Sequence, residues 1–134
     1  MSNTKATGVA YLDPEFSTMY ATEEIGYAAA AQGTVTQSTD KSTGVTLNKS
    51  AGRITMNNAA LAGGAAVSFT LTNSTISAND TIIVNVSGNG TAGAYTTYIS
   101  SMTSGSAVVT LRNLSGTSYS EAVIINFAII HGAV

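Results

Sequence analysis

No cysteine and no tryptophan occur in the 134 residues, and there is one proline and one histidine. Without thiols there is no disulfide, no thiolate nucleophile and no Cys-ligated metal site, so the fold has to hold by burial. His131 alone cannot build a His-rich metal centre. Charge is scarce too: 5 basic and 7 acidic residues make up 9% of the chain, against roughly 25% in an average domain. A net charge of −2 gives no basic field to neutralise phosphates, which removes the largest energy term of nucleic-acid binding. Met1-Ser2-Asn3-Thr4-Lys5 lacks the charged start and apolar run of a signal peptide, and no apolar stretch reaches the roughly 18 to 20 residues of a membrane span. The expectation is a product made in a cytoplasm, with no membrane and no nucleic-acid partner.

What is present divides into two zones. Residues 1–33 hold the only proline (Pro14), Tyr11, Tyr20 and Tyr27, and four acids (Asp13, Glu15, Glu23, Glu24) against Lys5, a net −3. Residues 34–134 carry Lys41, Lys49, Arg53 and Arg112 against Asp40, Asp80 and Glu121, a net +1, and are dominated by Thr, Ser, Val, Ile and Gly. The first zone reads as an extended or partly helical arm, with 22–32 as the helical candidate behind a Thr22 cap. The second reads as an all-β domain.

Period-2 alternation carries the second reading. Val67, Phe69 and Leu71 oppose Ser68, Thr70 and Thr72; Ile82, Val84 and Val86 share one side of 81–87, with Ile83 the apolar intrusion opposite. Further strands are expected at 45–47, 53–56, 94–101 and 107–112, with a short edge strand at 34–37. The last run, 121–131, is apolar on both faces: Val123, Ile125, Phe127 and Ile129 on one, Ala122, Ile124, Ala128 and Ile130 on the other. Such a strand should be central and covered twice, the second time by something such as a neighbouring subunit. Asn57-Asn58, Gly63-Gly64, Asn79-Asp80, Gly88-Asn89-Gly90, Ser104-Gly105 and Ser115-Gly116 punctuate the runs with residues that accept a positive φ. Seven or eight short strands imply an antiparallel β-sandwich or jelly roll.

Catalytic motifs are missing from this pattern. Glu23 and Glu24 are adjacent, so their carboxylates diverge where paired-carboxylate catalysis needs convergence. Asp80 reads as a turn residue, and His131 has no acid in its local sequence to orient it. No G-x-S-x-G elbow, P-loop or H-E-x-x-H occurs. The glycine-rich 88–93 leads into a strand and reads as a hairpin tip, without the helix N-terminus that holds phosphate. Six N-x-[ST] sites, at Asn48, Asn73, Asn79, Asn85, Asn89 and Asn113, read as accidents of composition. We therefore expect no catalytic residue, cofactor or metal. A hydrolase built on His131 and a pilin or surface-layer subunit are the weaker alternatives.

The aromatic N-terminal zone carries more. Tyr11, Leu12, Phe16, Met19, Tyr20, Ile25 and Tyr27 follow no strand period, so they either cover an edge of their own domain or reach a neighbouring copy or partner surface. Large aromatics give contact area at low entropy cost, which favours the second reading.

Residues 33–73, GTVTQSTDKSTGVTLNKSAGRITMNNAALAGGAAVSFTLTN, resemble a sequence type found in small structural proteins of tailed bacteriophages. The phrases DTIIVNVS (80–87), TAGAYT (91–96) and VTLRNLSGTSYSEAVIINFAII (109–130) fit the same type. The resemblance implies a virion component: a head decoration or cement protein bound outside the capsid as a homotrimer, its partner the major capsid protein. The same domain type in fibres and spikes implies the alternative of a receptor-binding tail-fibre tip or spike, using 88–93 with Tyr95 or Tyr98 as stacking platforms. The resemblance supplies no residue roles. From the pattern alone, Tyr11, Phe16 and Tyr20 are the expected arm contacts, and Ile124 and Ile130 the outward, inter-subunit side of the last strand.

Overall fold

A computed structural model describes residues 16–132. The alternating segments become eight strands: β1 (Gln32–Thr36), β2 (Val45–Thr46), β3 (Ala51–Thr55), β4 (Ala66–Thr72), β5 (Thr81–Gly88), β6 (Tyr95–Thr103), β7 (Ser106–Asn113) and β8 (Ile124–Ile130). They form two four-stranded sheets, β1-β3-β8-β5 and β2-β4-β7-β6, packed face to face as an all-β sandwich. Burial follows the alternation: in β4 Phe69 and Leu71 are buried while Ser68, Thr70 and Thr72 are exposed. Ile54, Ile125, Phe127 and Ile129 of the first sheet meet Phe69, Leu71, Val109 and Leu111 of the second, and Met56, Leu61, Ile76 and Val123 complete the core from connecting segments.

The expected antiparallel pairing holds for β3·β8, β5·β8, β4·β7 and β6·β7, whereas β1·β3 and β2·β4 are parallel. A parallel pair needs a crossover rather than a hairpin. Here the chain alternates between sheets from β1 to β5, so β2 is the crossover joining β1 to β3, and β3 the one joining β2 to β4. Alternation in the sequence sets which face is buried, not which neighbour is paired.

β8 lies between β3 and β5, the central place its apolar character calls for. It starts at Ile124 rather than 121 because the preceding backbone is engaged elsewhere: Val123 accepts from Met56 N–H at 2.9 Å, and the Glu121 carbonyl accepts from Lys41 Nζ. Edge strands β5 and β6 each carry an extra residue, at Ser87 and Ser100, where the register shifts. Such bulges twist an edge away from further strand pairing.

Gly33 and Gly52 are partners across β1 and β3 and point inward. A Cβ on Gly52 would lie 2.6 Å from a Leu47 methyl and 2.8 Å from the Phe127 ring, so this glycine makes the space Leu47 fills. The helical expectation for 22–32 reduces to one 3-10 turn at Ala29–Ala31. Residues 22–26 bury nothing, and a short helix with Gly26 inside it and no packed face has no source of stability.

Candidate functional site

Two expected accidents of sequence turn out to be structural. Asn73 and Asn113, both fully buried, stand at opposite ends of the β4·β7 pair. Asn73 Oδ1 accepts from Thr75 N–H (3.0 Å) and Oγ1 (2.8 Å) while its amide donates to Lys49 O (2.7 Å). Asn113 Oδ1 accepts from Ser115 N–H (3.0 Å) and Oγ (2.7 Å), and its amide donates to Leu61 O (3.0 Å) and Thr117 O (2.8 Å). Asp40 with Ser42 repeats the arrangement at 2.8 and 2.7 Å, which lowers the Asp40 carboxyl below its ordinary pKa. In each, the Ser or Thr two positions on closes an Asx turn. Two of the six N-x-[ST] sites are thus strand terminators.

The acid missing from the local sequence of His131 arrives from the turn before β5. Asp80, its side chain buried, accepts His131 Nδ1 at 3.1 Å, Ser77 N–H at 2.7 Å, Ser77 Oγ at 2.8 Å and Gly132 N–H at 3.0 Å. The Ser77 backbone bond first, with the other donors, lowers its carboxyl to about 2. Here the carboxylate sits between hydroxyl and imidazole, whereas nucleophilic catalysis needs the imidazole between the other two. The cluster ties the C-terminal end of β8 to the turn at Ser77–Asp80.

At the opposite end of β8, the Lys41 ammonium donates to Asn57 O and Glu121 O. Burial lowers its pKa, with the Glu121 charge opposing. The Glu121 carboxylate binds Thr91 N–H (3.0 Å) and Oγ1 (2.7 Å), which holds its pKa down, while burial first, and then the Glu121 carboxylate, pushes the Tyr95 phenol up. Within the 88–93 loop, Thr91 is therefore already held by a carboxylate. It is not a hairpin tip, because β5 and β6 belong to different sheets; Asn89 (φ 55°) and Gly93 (φ 76°) shape an inter-sheet connection. Tyr95 turns inward, its ring 6.2 Å from that of Tyr119, while Tyr98 is exposed. Of these two, Tyr98 is the one open to serve as a stacking platform.

The outer face of the first sheet is the larger feature. Its register places Gln32, Ala51, Ala128 and Ile83 in one row, and Thr34, Arg53, Asn126 and Asn85 in the next. Small Ala51 and Ala128 side by side leave a groove of about 690 Å³, walled by Gly26 and Tyr27. Tyr27 reaches across the sheet to donate its hydroxyl to the Ile129 carbonyl, and Gln32 Nε2 donates to Tyr27 O at 2.8 Å. The Arg53 side chain is exposed and has no ion-pair or hydrogen-bond partner among the described residues.

Of the expected contact residues, Ile124 and Ile130 do share this outer face, half-buried and 58% exposed. Phe16 and Tyr20 are 61% and 89% exposed, and Glu23 and Glu24 are solvated. Tyr11 lies outside the described residues. Sequence reading missed Tyr27 and Arg53 as parts of this face; the outward alanines of β3 and β8 were the available signal, but their pairing was not. Comparison with family models, with curated proteins and with solved structures finds no match to this chain.

Proposed function

We propose that this chain is a structural protein of a tailed-phage virion, a decoration or cement subunit that binds the outside of the head as a homotrimer and braces it. The observation that carries the reading is the run of large apolar side chains left in water beside a well-packed sandwich: Phe16, Met19, Tyr20 and Ile25 at 61, 65, 89 and 79% exposure. Leaving these exposed in a free chain is unfavourable, so a surface outside this chain is the natural place for them. The sequence phrases within 33–130 point to the same class.

Three arms on one trimer make the second and third contacts intramolecular, so weak single contacts sum to a stable clamp. In this account Tyr11, Phe16 and Tyr20 meet the shell, with Ile124 and Ile130 facing a neighbouring copy. Binding of purified protein to expanded heads, followed by co-sedimentation, tests the reading. Saturable binding of a species of about 40 kDa, three chains of 13.5 kDa, is expected; a strictly monomeric chain that leaves heads bare contradicts it.

A further inference from the structure

We infer that the groove on the outer face of the first sheet receives residues 22–25 of a second copy, with Glu23 over Arg53 and Ile25 over the Ala51–Ala128 row. The inference rests on the self-association within the proposed function, not on the identity of the shell.

Charge selects the occupant. Arg53 is an unpartnered cation in the groove, and the N-terminal segment supplies adjacent solvated acids, Glu23 and Glu24, a few residues before Tyr27. Spacing agrees. An extended chain returns to the same side every two residues, about 7 Å, and the Arg53 and Ala51 rows are separated by the same two-residue step of β3. One extended Glu-x-Ile therefore sets a carboxylate on the cation while its Ile reaches the small-residue floor, flanked by exposed Ile83 and Ile130.

The same segment already uses this face once, through the Tyr27 bond to Ile129. Yet Ile25 of the same chain stays 79% exposed and the groove stays open, so residues 16–25, which precede Tyr27, do not fill the groove of their own chain. The bulges at Ser87 and Ser100 disfavour strand addition at the β5 and β6 edges, which weighs toward association through a face. Phe16, Met19 and Tyr20, further out on the arm, remain free for the shell.

The absence of native cysteine gives a direct test. Single variants Ile25→Cys and Ala128→Cys are mixed under mild oxidation and read on a non-reducing gel. A mixed covalent dimer well above the yield of either variant alone is expected. An Ile25→Cys/Ala128→Cys double variant that closes only within one chain would overturn the inference. Independently, Arg53→Glu should weaken self-association by about fivefold or more per contact in sedimentation velocity, and Glu23→Arg/Glu24→Arg in the same chain should restore it. Unchanged association in Arg53→Glu would also overturn it. Head binding by the same variants separates the two ideas: cross-linked copies that ignore heads sink the proposed function alone, and head-binding chains without the cross-link sink this inference alone.

Discussion

Replacing Asn113 by Ala removes the side chain that terminates β7, and its cost can be worked from four bonds. The amide donates to Leu61 O and Thr117 O, and Oδ1 accepts from Ser115 N–H and Oγ, all within 2.7–3.0 Å at a fully buried site. At about 1 kcal/mol net per bond the total is about 4 kcal/mol. Two partners have substitutes that reduce it: Leu61 O also accepts from Tyr119 N–H at 3.2 Å, and Ser115 Oγ already reaches Thr117 O at 3.1 Å. We therefore expect a loss of about 2 to 3 kcal/mol. Urea unfolding followed by circular dichroism should show the midpoint falling by about 1 M or more with an unchanged slope. Asn85→Ala, at an exposed N-x-[ST] site in β5, should change stability by less than about 0.5 kcal/mol. A loss below about 1 kcal/mol for Asn113→Ala, or equal losses at both sites, would refute the reading of Asn113 as a strand terminator.

Gly132→Ala should destabilise by about 2 kcal/mol or more in thermal unfolding, because a Cβ there would lie 2.0 Å from the Asn79 carbonyl oxygen and would displace the Gly132 N–H bond to Asp80. Gly52→Val should cost about 3 kcal/mol by overpacking Leu47 and Phe127 in the core, and Leu47→Ala in the same chain should recover part of it. Asp80 is held at about 2 in the folded protein against an ordinary 3.8, so its stabilising effect is complete above about pH 4 and is lost as pH falls toward 2; Asp80→Asn should flatten that acid limb of the pH-stability curve while lowering the plateau. Phe16→Ser with Tyr20→Ser should leave the unfolding midpoint unchanged, since both side chains are solvated, while weakening head binding at least tenfold in co-sedimentation.

The strands were legible because a half-buried sheet imposes period two, and Phe69, Leu71, Ile125 and Phe127 lie where that period puts them. The parallel pairs were not, since β1 and β3 carry the same alternation whichever neighbour they take. The bulge in β6 left a trace, the three-residue step from Ile99 to Met102 where alternation calls for two, and the bulge at Ser87 left none as clear. Asp80 and His131 are 51 residues apart, and their meeting follows from the topology rather than from any local spacing. Asn73 and Asn113 were read as accidents of composition because, with N-x-[ST] set aside as a modification signal, their role as Asx turns closed by a hydroxyl depends on burial that the sequence does not display. The groove escaped notice for a related reason: two alanines in different strands mean nothing until the register sets Ala51 against Ala128.

An image reconstruction of the assembled particle with this chain located bears most directly on the account. Sandwiches in threes on the outer surface of the head, each with residues 22–25 lying on a neighbour and Phe16 and Tyr20 against the shell, is the expected result. Density for the chain at a fibre tip or spike, or a head whose exterior carries no copy of it, would contradict the central claim.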